Sequence, residues 1–350
     1  MPHPDHATLQ GKIQTVTGLI APEDLGLTLM HEHLLWDLRA LDDRGPEAAT
    51  GPELSLATYW DQHTFRPRTN GNMMQRDVDV AIEEVGHFTR AGGSAIVEVT
   101  IGDIGPDPEG LVKIARATGA QIVMGCGHYV QRYQDPTNAT RDIDSFAAEM
   151  VGNIREGTWG TDVRAGILGE IGCGEPWTEQ EKRVLAGAAV AQQETGAALT
   201  IHPSRHGATP LEILAHAVAH GADPTRVIMD HMERTLFDLD DFQRLAETGC
   251  VLEFDLFGWE TAYYNGLSDI DLPNDGGRVR IIRELIAHGH GDQIVLSHDV
   301  CMKTRMRRYG GPGYGHIPER VVPLMLRRGI TQAQIDAMLI HTPRRLLTIV

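Results

Sequence analysis

Thiols are scarce: four cysteines, at 126, 173, 250 and 301, and no C-x-x-C pair. That excludes a disulfide framework and a zinc-knuckle pattern, and it fits a reducing compartment. No run of 18 apolar residues occurs, and the opening MPHPDHATLQ lacks the basic and apolar stretches of a secretory leader. A soluble cytoplasmic protein with no membrane partner is the expectation. Basic residues are outnumbered, 31 against 48 acidic, for a formal charge of −17, which opposes binding to nucleic acid. Aromatics make up 5% of the chain. The Gly-rich phosphate turn of a doubly wound dinucleotide fold is missing after the first apolar run. Histidine is what the chain has in plenty, 17 copies, so imidazole chemistry is where function is sought.

Short β-branched and aliphatic runs alternate with segments of helical periodicity, the pattern of repeated βα units. Eight such runs are read as strands: Leu27–His33, Ser94–Thr100, Gln121–Gly127, Arg164–Ile171, Ala197–His202, Arg226–His231, Cys250–Asp255 and Gln293–Asp299. From the second to the eighth they recur every 33 residues or about that, the size of one βα unit. Helices are expected over Gln75–Ala91, Glu109–Thr118, Asp142–Glu156, Thr178–Thr195, Thr209–His220, Asp238–Thr248 and Gly277–His288. Gly92, Gly119, Gly196 and Gly249 follow four of them, just before a strand. The fold class is therefore α/β, a (β/α)₈ TIM barrel formed by residues 1–350 as one unit. Residues 11–26 read as an N-terminal hairpin plugging its bottom, and 38–74 as a long first βα insertion.

His31-Glu32-His33 is the first chemical candidate, since alternate strand residues share a face. With so many histidines, an H-x-H arises by chance about once. His288-Gly-His290 is read as that chance case, a solvated helix end. Location distinguishes the first pair: His31 and His33 end the first strand, while Glu170, His202, His231 and Asp299 end the fourth, fifth, sixth and eighth. The C-terminal rim of the strands is where barrel active sites lie. Imidazole and carboxylate donors without thiolate suit Zn²⁺ first, with Mn²⁺, Co²⁺ or Fe²⁺ as alternatives. Four imidazoles and two carboxylates exceed the needs of one open catalytic site. Two divalent ions sharing a bridging carboxylate and a bridging hydroxide would use them all.

Through LMHEHL (29–34), GILGEIGC (166–173), IHPSR (201–205), EFDLFG (253–258), SHDV (297–300) and KTRMRRYGGPGYGHI (303–317), the chain resembles the phosphotriesterase-like branch of the amidohydrolase superfamily. Within it the similarity is to the phosphotriesterase-related, or resiniferatoxin-binding, group. It runs from GKIQTV at Gly11 to HTPRRLL at His341. The resemblance implies that His31, His33 and Asp299 hold the more buried ion, His202 and His231 the more exposed one, and that Glu170 bridges them where better known phosphotriesterases use a carboxylated lysine. Their relay histidine after strand seven is replaced by Leu256, and their relay aspartate by Arg234. Both departures count against efficient organophosphate hydrolysis.

Loop eight, residues 300–317, carries Lys303, Arg305, Arg307 and Arg308 with no acid before Glu319. It reads either as an anion clamp for substrate or as a solvated charge run paired with Asp269, Asp271 and Asp275. Tyr129, Arg205 and Arg234 follow strands three, five and six and are further substrate-binding candidates, as is His128. The expected function is a binuclear metal-dependent hydrolase. Its metal-bridging hydroxide would attack the carbonyl of a small anionic amide or ester of the N-acyl amino acid or N-acyltaurine kind, with Asp299 as general acid and base. A lactonase or carboxylesterase with promiscuous phosphotriesterase activity is the alternative. A non-catalytic small-ligand-binding protein is the alternative of another class. Similar barrels often form homodimers.

Overall fold

The computed structural model describes residues 9–41, 44, 53–64, 69–260, 264 and 270–350. Eight parallel strands form one sheet in sequential order: Thr28–Glu32 (β1), Ala95–Glu98 (β2), Gln121–Cys126 (β3), Ile167–Gly172 (β4), Leu199–His202 (β5), Val227–Met229 (β6), Val251–Phe254 (β7) and Ile294–Leu296 (β8). The sheet curls back on itself. The His31 N–H donates to Ser297 Oγ at 3.0 Å, and the Asp299 N–H donates to the His31 carbonyl at 3.3 Å. The expected (β/α)₈ barrel is thus the observed architecture.

The strands are wrapped by helices Val78–Arg90, Pro108–Thr118, Ile143–Arg155, Glu179–Thr195, Thr209–Ala219, Leu239–Ala246 and Asp275–Ala287, all within a few residues of their expected limits. Side chains of Asp77, Asp107, Asp142, Thr178 and Asn274 cap their N-termini. Gly196 ends the fourth at φ 69°, where a Cβ would meet the Val350 carbonyl at 2.1 Å. The sequence reading placed no helix after β8. Short helices do follow, Val322–Arg327, Gln332–Asp336 and Thr342–Leu347, interrupted by π-turns at Ile317–Val321 and Ala337–His341. They abut these π-turns in two continuous runs, 317–327 and 332–347, and the π-turns with Pro323 and Pro343 break the helical period.

Two bulges decide which side chains face the barrel axis. Leu29 pairs with Ile96 and Glu32 with Glu98, so β1 holds one residue more than β2 over that span. Leu168 pairs with Leu199 and Ile171 with Ile201, an identical excess in β4. Each extra residue resets the period-two alternation. Leu29, Ile96, Leu168, Leu199 and Ile201 pack outward among helix side chains, whereas Met30, Ile167, Ile228, Val251 and Val295 fill the barrel. After the bulges, His31, His33 and Glu170 point inward as well.

The bottom is closed by Ile13 and Leu25 of the N-terminal segment and by Leu346 and Leu347. The hairpin expected over 11–26 forms from Ile13–Thr15 and Gly18–Ile20, anchored where Gln14 donates to the Ile154 carbonyl at 2.8 Å. At the other end, Trp36–Asp37 pairs with Met74–Gln75 and closes the base of the first insertion. Of that insertion, residues 42–43, 45–52 and 65–68 lie outside the described residues. Among the described residues, no helix is long and apolar enough to cross a membrane.

Arg226, at the foot of β6, donates to the carbonyls of Gly196, Arg345, Leu346 and Thr348. Removing it strands four acceptors, in two buried and two part-buried hydrogen bonds, and loosens the C-terminal plug. Arg226→Met is expected to lower the unfolding free energy by about 3 kcal/mol in urea titrations, without changing metal content. An unchanged urea midpoint would show that this clasp carries no stability.

Candidate metal centre

At the top of the barrel, Glu170 collects all four rim histidines. Its Oε2 lies 2.8 Å from His202 Nδ1, 3.5 Å from His231 Nε2 and 3.6 Å from His31 Nε2, while Oε1 lies 3.5 Å from His33 Nε2. Asp299 Oδ1 stands 3.4 Å from His33 Nε2 and 4.0 Å from His31 Nε2. The six residues the sequence brought forward therefore meet at one point, each 8% exposed or less. His231 and Asp299 take positive φ, 57° and 49°, an uncommon conformation for such residues that turns both side chains back over the barrel mouth.

Further carboxylates, which sequence reasoning missed, fix these rings. Asp255, at the end of β7, accepts from the His231 N–H at 2.9 Å and lies 2.8 Å from its Nδ1. Donation from Nδ1–H leaves the Nε2 lone pair facing Glu170. Glu98 accepts from the Thr100 hydroxyl at 2.5 Å, and the Thr100 oxygen lies 3.0 Å from His33 Nδ1. With that hydroxyl proton committed, Thr100 accepts from His33 Nδ1–H, and His33 Nε2 is left for the site. Glu32, the middle of His31-Glu32-His33, accepts from Ser297 Oγ, the His298 N–H and the Val300 N–H at 2.8, 2.9 and 3.0 Å. It laces β8 to β1 and so sets Asp299 against the histidines. The available signal was a glutamate or aspartate at each strand end, in HEH, VEVT and EFD.

The electrostatics fit a bound cation. Burial pushes Glu170 up to about 8, against the pull of His31 and His33. Burial lowers His31, but Glu170, Asp230 and Asp255 outweigh it and raise the ring well above its ordinary value. Carboxylates thus draw positive charge onto this spot, a demand that a metal meets while releasing protons. Burial and the Arg234 guanidinium hold His202 and His231 well below the ordinary value, so both stay neutral donors. Neither nitrogen of the fully buried His31 has a hydrogen-bond partner, and His202 Nδ1 and His231 Nε2 face each other at 2.9 Å. Donor atoms of His31, Glu170, Asp230 and His231 all lie within 4.8 Å of one another, as do those of His31, His33 and Asp299. Imidazole nitrogens converging on one carboxylate, those of His31 without a hydrogen-bond partner, are a donor set that divalent metals take.

The remaining candidates divide. The Tyr129 hydroxyl lies 3.3 Å from His202 Nδ1, and the buried Arg234 has Nη2 at 3.2 Å from His202 Nε2. Arg205, His202 and Tyr129 line one cavity of about 710 Å³. The basic loop is engaged elsewhere. Arg305 is buried 4.0 Å from the Trp259 ring and donates to the Gly258 carbonyl at 2.9 Å. Arg307 pairs with Glu319, Arg308 with Glu83, and Lys303 sits over Tyr309. Asp275 instead pairs with Arg278 and His316, while Asp269 lies outside the described residues. His128 is held between Asp103 and Glu149 at 3.2 and 3.3 Å.

A family model described as the phosphotriesterase family matches residues 11–347. N-acetyltaurine hydrolase from Homo sapiens is 37% identical over 346 residues, covering 98% of this chain and 99% of that one. A phosphotriesterase-related protein from Nematostella vectensis is 38% identical over 345 residues, covering 97% and 99%. Among solved structures, a resiniferatoxin-binding protein from Rhodobacter sphaeroides superposes with a TM-score of 0.90 at 35% identity, covering 96% of this chain and 95% of that one.

The clamp on His128 generates a pH prediction for the loop that carries Tyr129. Burial lowers this ring, but Asp103 and Glu149 outweigh it and push the value up to about 9. A raised value stabilises the fold in full below the unfolded value of about 6.5, and the contribution is lost as pH rises through about 9. Urea unfolding is expected to show stability falling across that window in the native chain and falling less in His128→Gln. An equal fall in both would remove His128 from the account.

Proposed function

The chain belongs to the phosphotriesterase family, and from that premise we propose a binuclear metal-dependent hydrolase acting on a small anionic N-acyl compound. The observation that carries the reading is the approach of all four rim histidines to Glu170 within 3.6 Å. His31, His33 and Asp299 would hold one ion, His202 and His231 the other, with Glu170 shared. Zn²⁺ is the first choice for such nitrogen and carboxylate donors. When bound, the pair supplies Lewis acidity toward an acyl oxygen and lowers the pKa of water. Relatives named N-acetyltaurine hydrolase support an N-acylated amine carrying an acid group as the substrate class.

Asp299 is suited to moving the proton. Burial alone would raise its carboxyl, but His33 and His31 bring it below the ordinary carboxylate value, so it is ionised at neutral pH. As the water oxygen bonds to the acyl carbon, its proton passes to Asp299. As the C–N bond breaks, the proton is handed to the nitrogen, because an amide anion leaves poorly. The Tyr129 phenol is raised well above its ordinary value, first by burial and then by Glu170. It stays protonated beside His202, where it can donate to substrate. A cytoplasmic enzyme, assembled as a homodimer, belongs to the same reading.

Asp299→Asn is expected to lose at least 100-fold in kcat on N-acetyltaurine, the general acid–base contribution, with a thermal midpoint near that of the native chain. Native turnover in that variant would take Asp299 out of the mechanism. Glu170→Ala is expected to retain fewer than two divalent ions per chain by elemental analysis after metal loading. Two tightly held ions would end the bridging assignment.

A further inference from the structure

The sequence directs attention to loop eight as the reader of a substrate's negative charge, yet its arginines are engaged with the fold. The cavity of about 710 Å³ that His202 and Tyr129 share is lined instead by Arg205, from the loop after β5, together with Arg132 and His206. Arg205 is half-buried. Its Nε donates to the Tyr264 hydroxyl at 3.0 Å, and its guanidinium carbon lies 5.5 Å from the centre of that ring. Tyr264, 4% exposed, reaches across from the loop after β7. Among the described residues, no carboxylate lies within 4.0 Å of the Arg205 guanidinium, and its two terminal nitrogens have no acceptor. Acids on the cavity wall do not neutralise it. Glu181 accepts the backbone N–H groups of Gln131, Gly174 and Thr178, and Glu175 is exposed.

Among the described residues, the neighbouring Arg234 also has no carboxylate within 4.0 Å. It is 2% exposed and donates to the Pro203 carbonyl at 3.2 Å. Two guanidinium groups without an ion-pair partner, Arg205 on the cavity wall and Arg234 behind His202, favour an anion there although the chain as a whole carries −17. Arg132 contributes less, being exposed and turned to the Tyr133 hydroxyl at 2.9 Å.

We propose that Arg205, oriented by Tyr264, reads the negatively charged head group of the substrate, a sulfonate or carboxylate joined to the nitrogen of the scissile bond by a short linker. This rests on the hydrolase reading above and specifies which residue selects the substrate. Tyr264 occupies Nε, leaving Nη1 and Nη2 as a planar two-donor fork that matches either oxoanion. Arg234, held against His202, is not the reader: its guanidinium is turned to Pro203, Thr235 and the imidazole. Tyr264 is a positioning residue.

The test compares metal-loaded native protein with Arg205→Met and Tyr264→Phe on N-acetyltaurine, N-acetyl-β-alanine and the uncharged N-acetylethanolamine. Arg205→Met is expected to raise KM for the acids on the order of 100-fold, with little effect on kcat or on the neutral compound. Tyr264→Phe should raise KM for the acids by roughly 10-fold, the loss of one hydrogen bond to a charged group. A preference for either acid that vanishes in Arg205→Met supports the proposal and identifies the head group. Equal changes on acids and neutral compound, or no change, overturn it.

Binding is measured separately by calorimetry with propane-1-sulfonate, butyrate and 1-butanol, none of which can be hydrolysed. If native protein turns over none of the three amides, the hydrolase reading falls. Loss of sulfonate or carboxylate binding in Arg205→Met would still uphold Arg205 as the anion reader, and unchanged binding would reject it.

Discussion

Glu170 is 2% exposed with imidazole nitrogens of four histidines within 3.6 Å, and a carboxylate so buried costs several kcal/mol unless positive charge meets it. That constraint orders the barrel mouth. Four histidines can converge only if the strands bearing them deliver inward-facing residues at one height. In β1 and β4 simple alternation would send them the wrong way, since Leu29 and Leu168 face the helices. One extra residue in each strand corrects the facing. The bulges are therefore part of the site, much as its donors are.

Convergence also needs the rings held in one tautomer. Asp255 does this for His231, and the Glu98–Thr100 pair for His33. Glu32 acts through the backbone, drawing Ser297, His298 and Val300 toward β1 so that Asp299 arrives beside His33. Each link is a hydrogen bond between buried groups, where such bonds are strong and an unpaired partner is costly. Below, Asp230 and Glu253 keep carboxylate oxygens without hydrogen-bond partners. His31 Nδ1 is 3.5 Å from Asp230 and 3.9 Å from Glu253. The acid surplus of the barrel interior thus leans on the same imidazole that faces Glu170.

The strands were legible in the sequence because β-branched runs sit between amphipathic segments with glycine after several helices. The six rim residues were legible because each closes a strand. What was not legible depends on geometry that no period carries. The bulge before Glu170 adds one residue without changing composition. Glu32 reads as an outward residue between two histidines, and only the return of β8 to β1 gives it its partners. The basic run 303–308 is conspicuous, but Glu83 and Glu319 come from other elements, and folding alone brings them to Arg308 and Arg307. Arg205 looked like one arginine among several until Tyr264, 59 residues away, was found to orient it.

Charge is therefore segregated by depth. Carboxylates lie beneath and within the histidine cluster, and guanidinium groups stand beside it. On the proposed reading, cations occupy the cluster. The direct measurement is anomalous scattering from crystals of protein purified without chelators and loaded with Zn²⁺. The account predicts two peaks flanking Glu170, one near His31, His33 and Asp299 and the other near His202 and His231. A barrel mouth with no peak, or a single peak away from Glu170, would contradict it.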